Sequence, residues 1–117
     1  MKKTYTYFDW APVVRSLILT LKKHGVTVVG AGDGEEDIVS ENTKELAAHA
    51  TGCDEGFLYV KTPDTPEGKR KAIYLVLGNE PWETVCDHTV DDAIDKAVDE
   101  FSDKWENRKC PTKVVER

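Results

Sequence analysis

Cysteine is scarce in this sequence, and long apolar runs are missing. The cysteines at positions 53, 86 and 110 are odd in number and lack CxxC spacing, which fits free thiols in a reducing compartment better than a disulfide framework. No stretch approaches the roughly 20 apolar residues of a membrane-spanning helix, and no apolar segment of signal-peptide type follows the N-terminal lysines. The sequence therefore predicts a cytoplasmic protein that has no membrane partner.

Positive charge is also in short supply. The chain has 16 Lys and Arg residues against 22 Asp and Glu residues, and its formal net charge is −6. A surface of this sign repels phosphate backbones, so we expect no direct binding to nucleic acid. The 117 residues, 39% of them hydrophobic, are enough to fold around one core. We expect a single domain over residues 1–107 and a polar, partly mobile tail over residues 108–117.

Apolar spacing and capping residues predict three helices. Apolar side chains recur at intervals of three and four over residues 9–25 and again over residues 90–105. Asn42 and Glu45 have the spacing of a capping box before a short helix that ends near Gly52. In the last helix, the predicted apolar stripe consists of Val90, Ile94, Val98, Phe101 and Trp105.

Runs of β-branched and aromatic residues predict the strands. They lie at residues 26–29, 37–40, 57–60, 72–77 and 82–88, with glycine, proline or acidic turn residues between them. The predicted fold class is α+β, a two-layer sandwich with a mainly antiparallel sheet of about five strands and three helices on one face. The predicted element order is α-β-β-α-β-β-β-α.

The segment GAGDGEED at residues 30–37 resembles a phosphate-binding loop and a calcium-binding loop, but it lacks residues that each of them needs. A phosphate loop needs a lysine and a hydroxyl residue after its glycines, whereas here three acidic residues follow Gly34. A calcium loop would need glycine at the position of Ile38 and glutamate at the position of Lys44. The segment is typical of a hairpin turn.

The segment TVCDH at residues 84–88 resembles a metal or nucleophile site, because Cys86 and His88 share one face of a strand. If Leu77 lies opposite Trp82, that face also holds Ile73 and Leu75 and should meet the helices. Cys86 is then a buried, inert packing residue, and only two potential metal ligands converge. We therefore expect no metal, no cofactor and no enzymatic activity.

The opposite face of the sheet is predicted to be open and apolar. If Lys61 lies opposite Lys71, the pairing register places several apolar side chains together on this face. A monomer would not normally expose an apolar patch of this kind. A protein partner, or self-association into a homodimer or larger oligomer, would cover it; the alternative is that the N-terminal segment KKTYTYF or the tail does so. The predicted partner-binding residues are Leu58, Val60, Tyr74, Val76 and Val85.

The last helix carries a regular acidic row. Four aspartates follow one another at intervals of four residues: Asp91, Asp95, Asp99 and Asp103. Such a row can imitate a phosphate backbone and inhibit a nucleic-acid-binding protein, or it can serve only solubility. The sequence therefore predicts a small acidic interaction protein, with nucleic-acid mimicry as the alternative function.

Overall fold

The computed structural model describes residues 3–116, and it has the α+β architecture that the sequence predicts. A five-stranded sheet has the strand order β3-β2-β4-β5-β6, and every neighbouring pair in it is antiparallel. A separate two-stranded sheet pairs β1 with β7. The strands are β1 (Thr4–Phe8), β2 (Thr27–Gly32), β3 (Asp37–Val39), β4 (Glu55–Lys61), β5 (Lys71–Val76), β6 (Val85–His88) and β7 (Thr112–Glu116), and the helices are α1 (Ala11–Lys23), α2 (Thr43–Ala50) and α3 (Asp92–Trp105).

All three helices contribute to one hydrophobic core on one face of the five-stranded sheet. Each helix presents its apolar stripe to this core, with Leu17 from α1, Leu46 from α2 and Phe101 from α3 almost fully buried. The sheet side of the core is formed by the buried residues Val28, Ala31, Leu58, Val60, Ile73 and Leu75. The fold is therefore the two-layer sandwich that was predicted. No helix within residues 3–116 is both long and apolar enough to cross a membrane.

Local signals place the helix ends close to their predicted positions. The Asn42 side chain accepts a 2.9 Å hydrogen bond from the Glu45 backbone N–H and caps α2, as the capping box predicts. The start of α3 differs from the prediction. Asp91 caps this helix by accepting hydrogen bonds from the backbone N–H groups of Ala93 and Ile94, so Val90 lies outside the helix and is 90% exposed. The apolar stripe of α3 therefore starts at Ile94.

The register between β4 and β5 is shifted by one residue from the predicted one. Val60, and not Lys61, lies opposite Lys71, and a shift of one residue turns every side chain of a strand to the other face. The predicted placement of Leu58 and Val60 on the open face is therefore wrong, and both are fully buried in the core.

The environment of Lys71 accounts for this register. The Lys71 ammonium nitrogen lies 2.6 Å from a carboxylate oxygen of Asp91, 3.0 Å from one of Asp64 and 2.9 Å from the hydroxyl oxygen of Thr62. These three groups lie at the end of the sheet beside the start of α3, so the lysine can face the helix layer with its charge compensated. The aliphatic residues then fill the core, and the aromatic residues of β4 take the outer face.

The strand β6 also differs from the prediction. A short 3-10 helix, Pro81–Glu83, replaces the tight turn, and β6 begins only at Val85. The pairing of β5 with β6 shifts between Tyr74 and Leu75, so that Val85 lies opposite Leu75 and packs against the core. Val85 is thus not an open-face residue, contrary to the prediction. The bulge at Cys86 leaves this cysteine exposed, so its predicted burial is wrong as well.

The two terminal segments form a ribbon that local sequence patterns did not predict. Thr6 of β1 lies opposite Val114 of β7, and the pairing continues for two residues on either side. The strand β7 therefore lies within residues 108–117, which we expected to be a mobile tail. All five residues of β1 are exposed. The two segments that could have covered the open face thus pair with each other instead.

Candidate interaction surface

A row of stacked aromatic side chains runs across the outer face of the five-stranded sheet. Phe57 of β4 lies opposite Tyr74 of β5, and their ring centroids are 5.1 Å apart with planes inclined by 22°. Two residues farther along β4, the Tyr59 ring is nearly parallel to the Phe57 ring, and their centroids are 6.4 Å apart. Each of these rings is partly exposed. The rings pack against one another on the side of the sheet opposite the core, and none of the three helices within residues 3–116 lies above them.

Two glycines of β2 make room for one end of this row. Gly30 lies opposite Tyr59, and Gly32 lies opposite Phe57. A Cβ atom on Gly32 would lie 3.0 Å from the Tyr59 hydroxyl oxygen, and one on Gly30 would lie 3.5 Å from the Tyr59 ring. The Tyr59 side chain therefore packs against the glycine backbone of β2, where a Cβ atom at Gly32 would crowd its hydroxyl group. The glycines that resembled a phosphate loop in the sequence have a packing role here.

A charged pair holds the outer side of Tyr59. The Tyr59 hydroxyl donates a 2.8 Å hydrogen bond to Asp37, and the Arg70 guanidinium carbon lies 3.5 Å from the centroid of the Tyr59 ring. Arg70 also approaches the other carboxylate oxygen of Asp37 at 3.5 Å. Partial burial, together with the hydrogen bond to Asp37, raises the pKa of Tyr59. The hydroxyl thus stays protonated and keeps its role as a donor.

At the other end of the row, the Tyr74 hydroxyl interacts with Glu55. A hydrogen bond to the Glu55 carboxylate is the main cause of the raised pKa of Tyr74. Val76 is partly exposed next to Tyr74 on the same face, and Asp87 lies opposite Tyr74 on β6. We define the open face as its apolar centre, which consists of Phe57, Tyr59, Ala72, Tyr74 and Val76.

The open face combines an apolar centre with a charged rim. An apolar, aromatic centre is surrounded by the charged residues Asp37, Glu55, Lys61, Arg70 and Asp87. Tyrosine, phenylalanine and arginine are enriched in protein interfaces, where aromatic centres with polar rims are typical. Of the five predicted partner-binding residues, the structure places Tyr74 and Val76 on this surface. Phe57 and Tyr59 were not among the predicted residues, although the alternation of aromatic and aliphatic residues in FLYV is a signal that could have identified them.

Cys86 and His88 do not form a common site. His88 Nε2 lies 3.2 Å from a carboxylate oxygen of Asp95, and Nδ1 lies 2.9 Å from the backbone carbonyl oxygen of Thr89. These contacts tie the end of β6 to the first turns of α3. Among the residues that the structure describes, no group of three or more His, Cys, Asp and Glu side chains is arranged to hold a metal ion.

The turn between β2 and β3 is held by its own first acidic residue. The Asp33 carboxylate accepts hydrogen bonds from the backbone N–H groups of Glu35 at 2.9 Å and Glu36 at 2.8 Å. These two bonds are the main reason why the pKa of Asp33 is lowered. Asp33 therefore stabilises the hairpin turn that the sequence predicts.

The four aspartates of the acidic row have different environments. Asp91 is mostly buried, because it caps α3 and pairs with Lys71, and Asp95 approaches His88. Asp99 and Asp103 are exposed, and their side chains have no hydrogen bond or ion pair within residues 3–116. The row that could meet a basic partner therefore reduces to Asp95, Asp99 and Asp103.

Known proteins add no further information about this surface. Comparisons with protein-family models, with curated proteins and with solved structures gave no match to the chain.

Proposed function

We propose that this chain is a non-catalytic interaction protein that binds a protein partner through the open face of its five-stranded sheet. The observation that carries the proposal is the stacked row of Tyr59, Phe57 and Tyr74 on the side opposite the helices. Large aromatic side chains that are fixed by stacking lose little conformational entropy when they bind, so they suit the centre of an interface.

The charged groups around the row support a protein as the partner. Arg70 stacks on Tyr59 and also approaches Asp37, so the edge of the surface offers a cation and an anion side by side. Mixed charge of this kind fits the polar rim of a protein interface, whereas a nucleic-acid surface is dominated by basic groups. The three free thiols support a cytosolic location for the complex.

Affinity capture with two charge-introducing variants tests this function. Val76→Glu places a carboxylate on the open face, and Leu19→Glu makes the same chemical change at a 57% exposed position of α1, in the helix layer. The tagged proteins are exposed to an extract of their own host, and the bound proteins are quantified by mass spectrometry. We expect a partner that is retained by the wild type and by Leu19→Glu but lost with Val76→Glu.

Folding must be checked in parallel, because a failure to bind has meaning only for a folded variant. Val76→Glu and Leu19→Glu should give the circular dichroism spectrum of the wild type. If both folded variants retain the same proteins as the wild type, the open face is not the binding surface.

The acidic row supports a second candidate function. Asp99 and Asp103 are exposed one helical turn apart, and a basic protein that normally binds nucleic acid could dock on them. Asp91 caps α3 and pairs with Lys71, so its charge is not available to a basic partner. The acidic row is therefore one charge shorter, which weakens this candidate function.

A further inference from the structure

The terminal ribbon exposes apolar surface that nothing in the described chain covers. Tyr5 is 40% exposed, Phe8 is 69% exposed and Val114 is 63% exposed. The ribbon consists of two strands only, and isolated two-stranded sheets are at best marginally stable in water because they bury few side chains. Another strand added at one edge would pair its open backbone groups.

The two edges of the ribbon are not equivalent. The strand β7 contains Lys113 and Glu116 and follows Pro111, and charged residues and prolines are the features that protect natural edge strands from further pairing. The strand β1 has the sequence TYTYF, with neither charge nor proline. The edge of β1 is therefore the one that is open to pairing.

The sequence around β1 complements itself in the antiparallel direction. If two copies pair about a twofold axis at Thr6, then Tyr5 lies opposite Tyr7 of the second copy, and Lys3 lies opposite Asp9 of the second copy. The twofold axis makes each of these pairs occur twice. The uncharged strand is thus flanked at both ends by opposite charges in matching register. Aromatic pairs, threonine pairs and opposite charges across antiparallel strands are all stabilising.

We propose that a second copy of this chain pairs with the edge of β1 and forms a continuous four-stranded antiparallel sheet in the order β7-β1-β1-β7. Tyr5 and Tyr7 lie on one face of the ribbon with their ring centroids 6.2 Å apart, so the two copies would place four tyrosines together. The charged strand β7 forms both outer edges and limits the assembly to a dimer. This interface is separate from the open face, which stays available to a different protein.

The small size of the contact sets its strength. Strands of five residues bury less surface than a standard protein interface, so we expect a dissociation constant on the order of micromolar. Sedimentation velocity over the micromolar concentration range should therefore show a reversible monomer–dimer equilibrium.

Charge substitutions at the twofold axis test the register. Thr6 faces its own copy, so Thr6→Lys and Thr6→Glu each place two like charges directly opposite one another. Each variant should weaken the dimer by roughly fivefold or more, and an equimolar mixture of the two should recover it. Val114→Lys is the matched control, because Val114 lies opposite Thr6 in the ribbon but one strand farther from the axis. This control should leave the dimer intact.

Crosslinking gives a second, independent readout. In a variant whose three native cysteines are replaced by serine, Thr6→Cys should form a covalent dimer on mild oxidation, since directly opposite Cβ atoms lie about 4.5–5.5 Å apart. Val114→Cys, equally placed on β7, should not. Three outcomes would each overturn the proposal. The wild type could stay monomeric over the whole concentration range, or the mixture could fail to recover the dimer. Alternatively, Val76→Glu could abolish a dimer that Thr6→Lys leaves intact.

Discussion

The Lys71 ammonium nitrogen lies 2.6 Å from a carboxylate oxygen of Asp91, and this ion pair joins the first residue of β5 to the cap of α3. Only 15% of the Lys71 side chain and 8% of the Asp91 side chain are exposed. The pair therefore links the sheet layer to the helix layer at the end of the domain where the register of β4 and β5 is set.

Loss of the Asp91 side chain should destabilise the domain. Asp91→Ala removes the cap of α3, which alone costs about 1 kcal/mol, and it also removes one counter-charge of the mostly buried Lys71. We expect a clear fall in the free energy of unfolding, measured by urea denaturation. Asp92→Ala is the control, because Asp92 is the exposed neighbour and does not cap the helix. Equal midpoints for the two variants would show that neither the cap nor the ion pair matters.

The same contacts make stability depend on acid pH. The Lys71 ammonium, together with the two backbone N–H groups of the cap, holds the pKa of Asp91 below its ordinary value. A group whose pKa is lower in the folded state adds stability at neutral pH, and this stability is lost as the pH falls below roughly 4 and through the folded-state pKa. We therefore expect the unfolding midpoint of the wild type to fall more steeply than that of Asp91→Asn between pH 5 and pH 2. Parallel curves over that range would contradict the assignment.

The order and type of the main elements could be predicted from the sequence, because their signals are local. The spacing of apolar residues in α1 and the pair of Asn42 and Glu45 act within a few residues. The register of β4 and β5 has no local signal of this kind, since a long loop joins the strands and does not fix which residues lie opposite one another. It depends on Lys71 reaching Asp91, which lies 20 residues away in the sequence.

The candidate site was therefore predicted only in part. The idea of an open sheet face could be derived from the strand pattern, and Tyr74 and Val76 lie on it. Leu58 and Val60 were wrongly placed on the open face because the predicted register of β4 and β5 is shifted by one residue. The ribbon of β1 and β7 could not be predicted, since Thr6 and Val114 are more than 100 residues apart and pair only in the folded chain.

Gly56 should be harder to replace than the glycine just before β4. A Cβ atom at Gly56 would collide with the backbone carbonyl oxygen of Ala50 at the end of α2, and backbone cannot move aside as a side chain can. Overpacking of this kind typically costs about 1–3 kcal/mol, so we expect Gly56→Ala to lower the free energy of unfolding by that amount. Gly52→Ala is the control, because its Cβ would lie at 3.4 Å from the nearest atom outside its chain neighbours. Similar stabilities of the two variants would show that β4 shifts to make room.

The three thiols should react at different rates in the folded protein. Cys53 and Cys86 are exposed, whereas Cys110 is partly buried, and this burial is the main cause of its raised pKa. Because the thiolate is the reactive form, a disulfide-exchange reagent at neutral pH should modify Cys53 and Cys86 first and Cys110 more slowly. Cys86→Ser should remove one fast-reacting thiol and leave the slow phase unchanged. A slow phase that disappears with Cys86→Ser would show that Cys86 is protected after all.

The exposed part of the acidic row should serve solubility, with no role in binding. The double variant Asp99→Asn and Asp103→Asn removes two repulsive pairs at intervals of four residues, Asp95 with Asp99 and Asp99 with Asp103. Each like-charge pair of this kind destabilises a helix by roughly 0.2–0.5 kcal/mol. We therefore expect slightly higher stability and unchanged capture of the partner that Val76→Glu loses. Asp95 is left in place because it approaches His88.

Salt dependence separates this expectation from nucleic-acid mimicry. A partner held by the aromatic row should stay bound as the salt concentration rises, because apolar contacts are not screened, whereas a basic partner held by aspartates should dissociate. Lys96→Gln combined with Lys104→Gln is the matched control, since it changes two exposed charges on the same helix without touching the acidic row. The complex could instead be sensitive to salt, lost with the two aspartate substitutions and kept with the two lysine substitutions. That result would show that the partner binds to α3 and not to the open face.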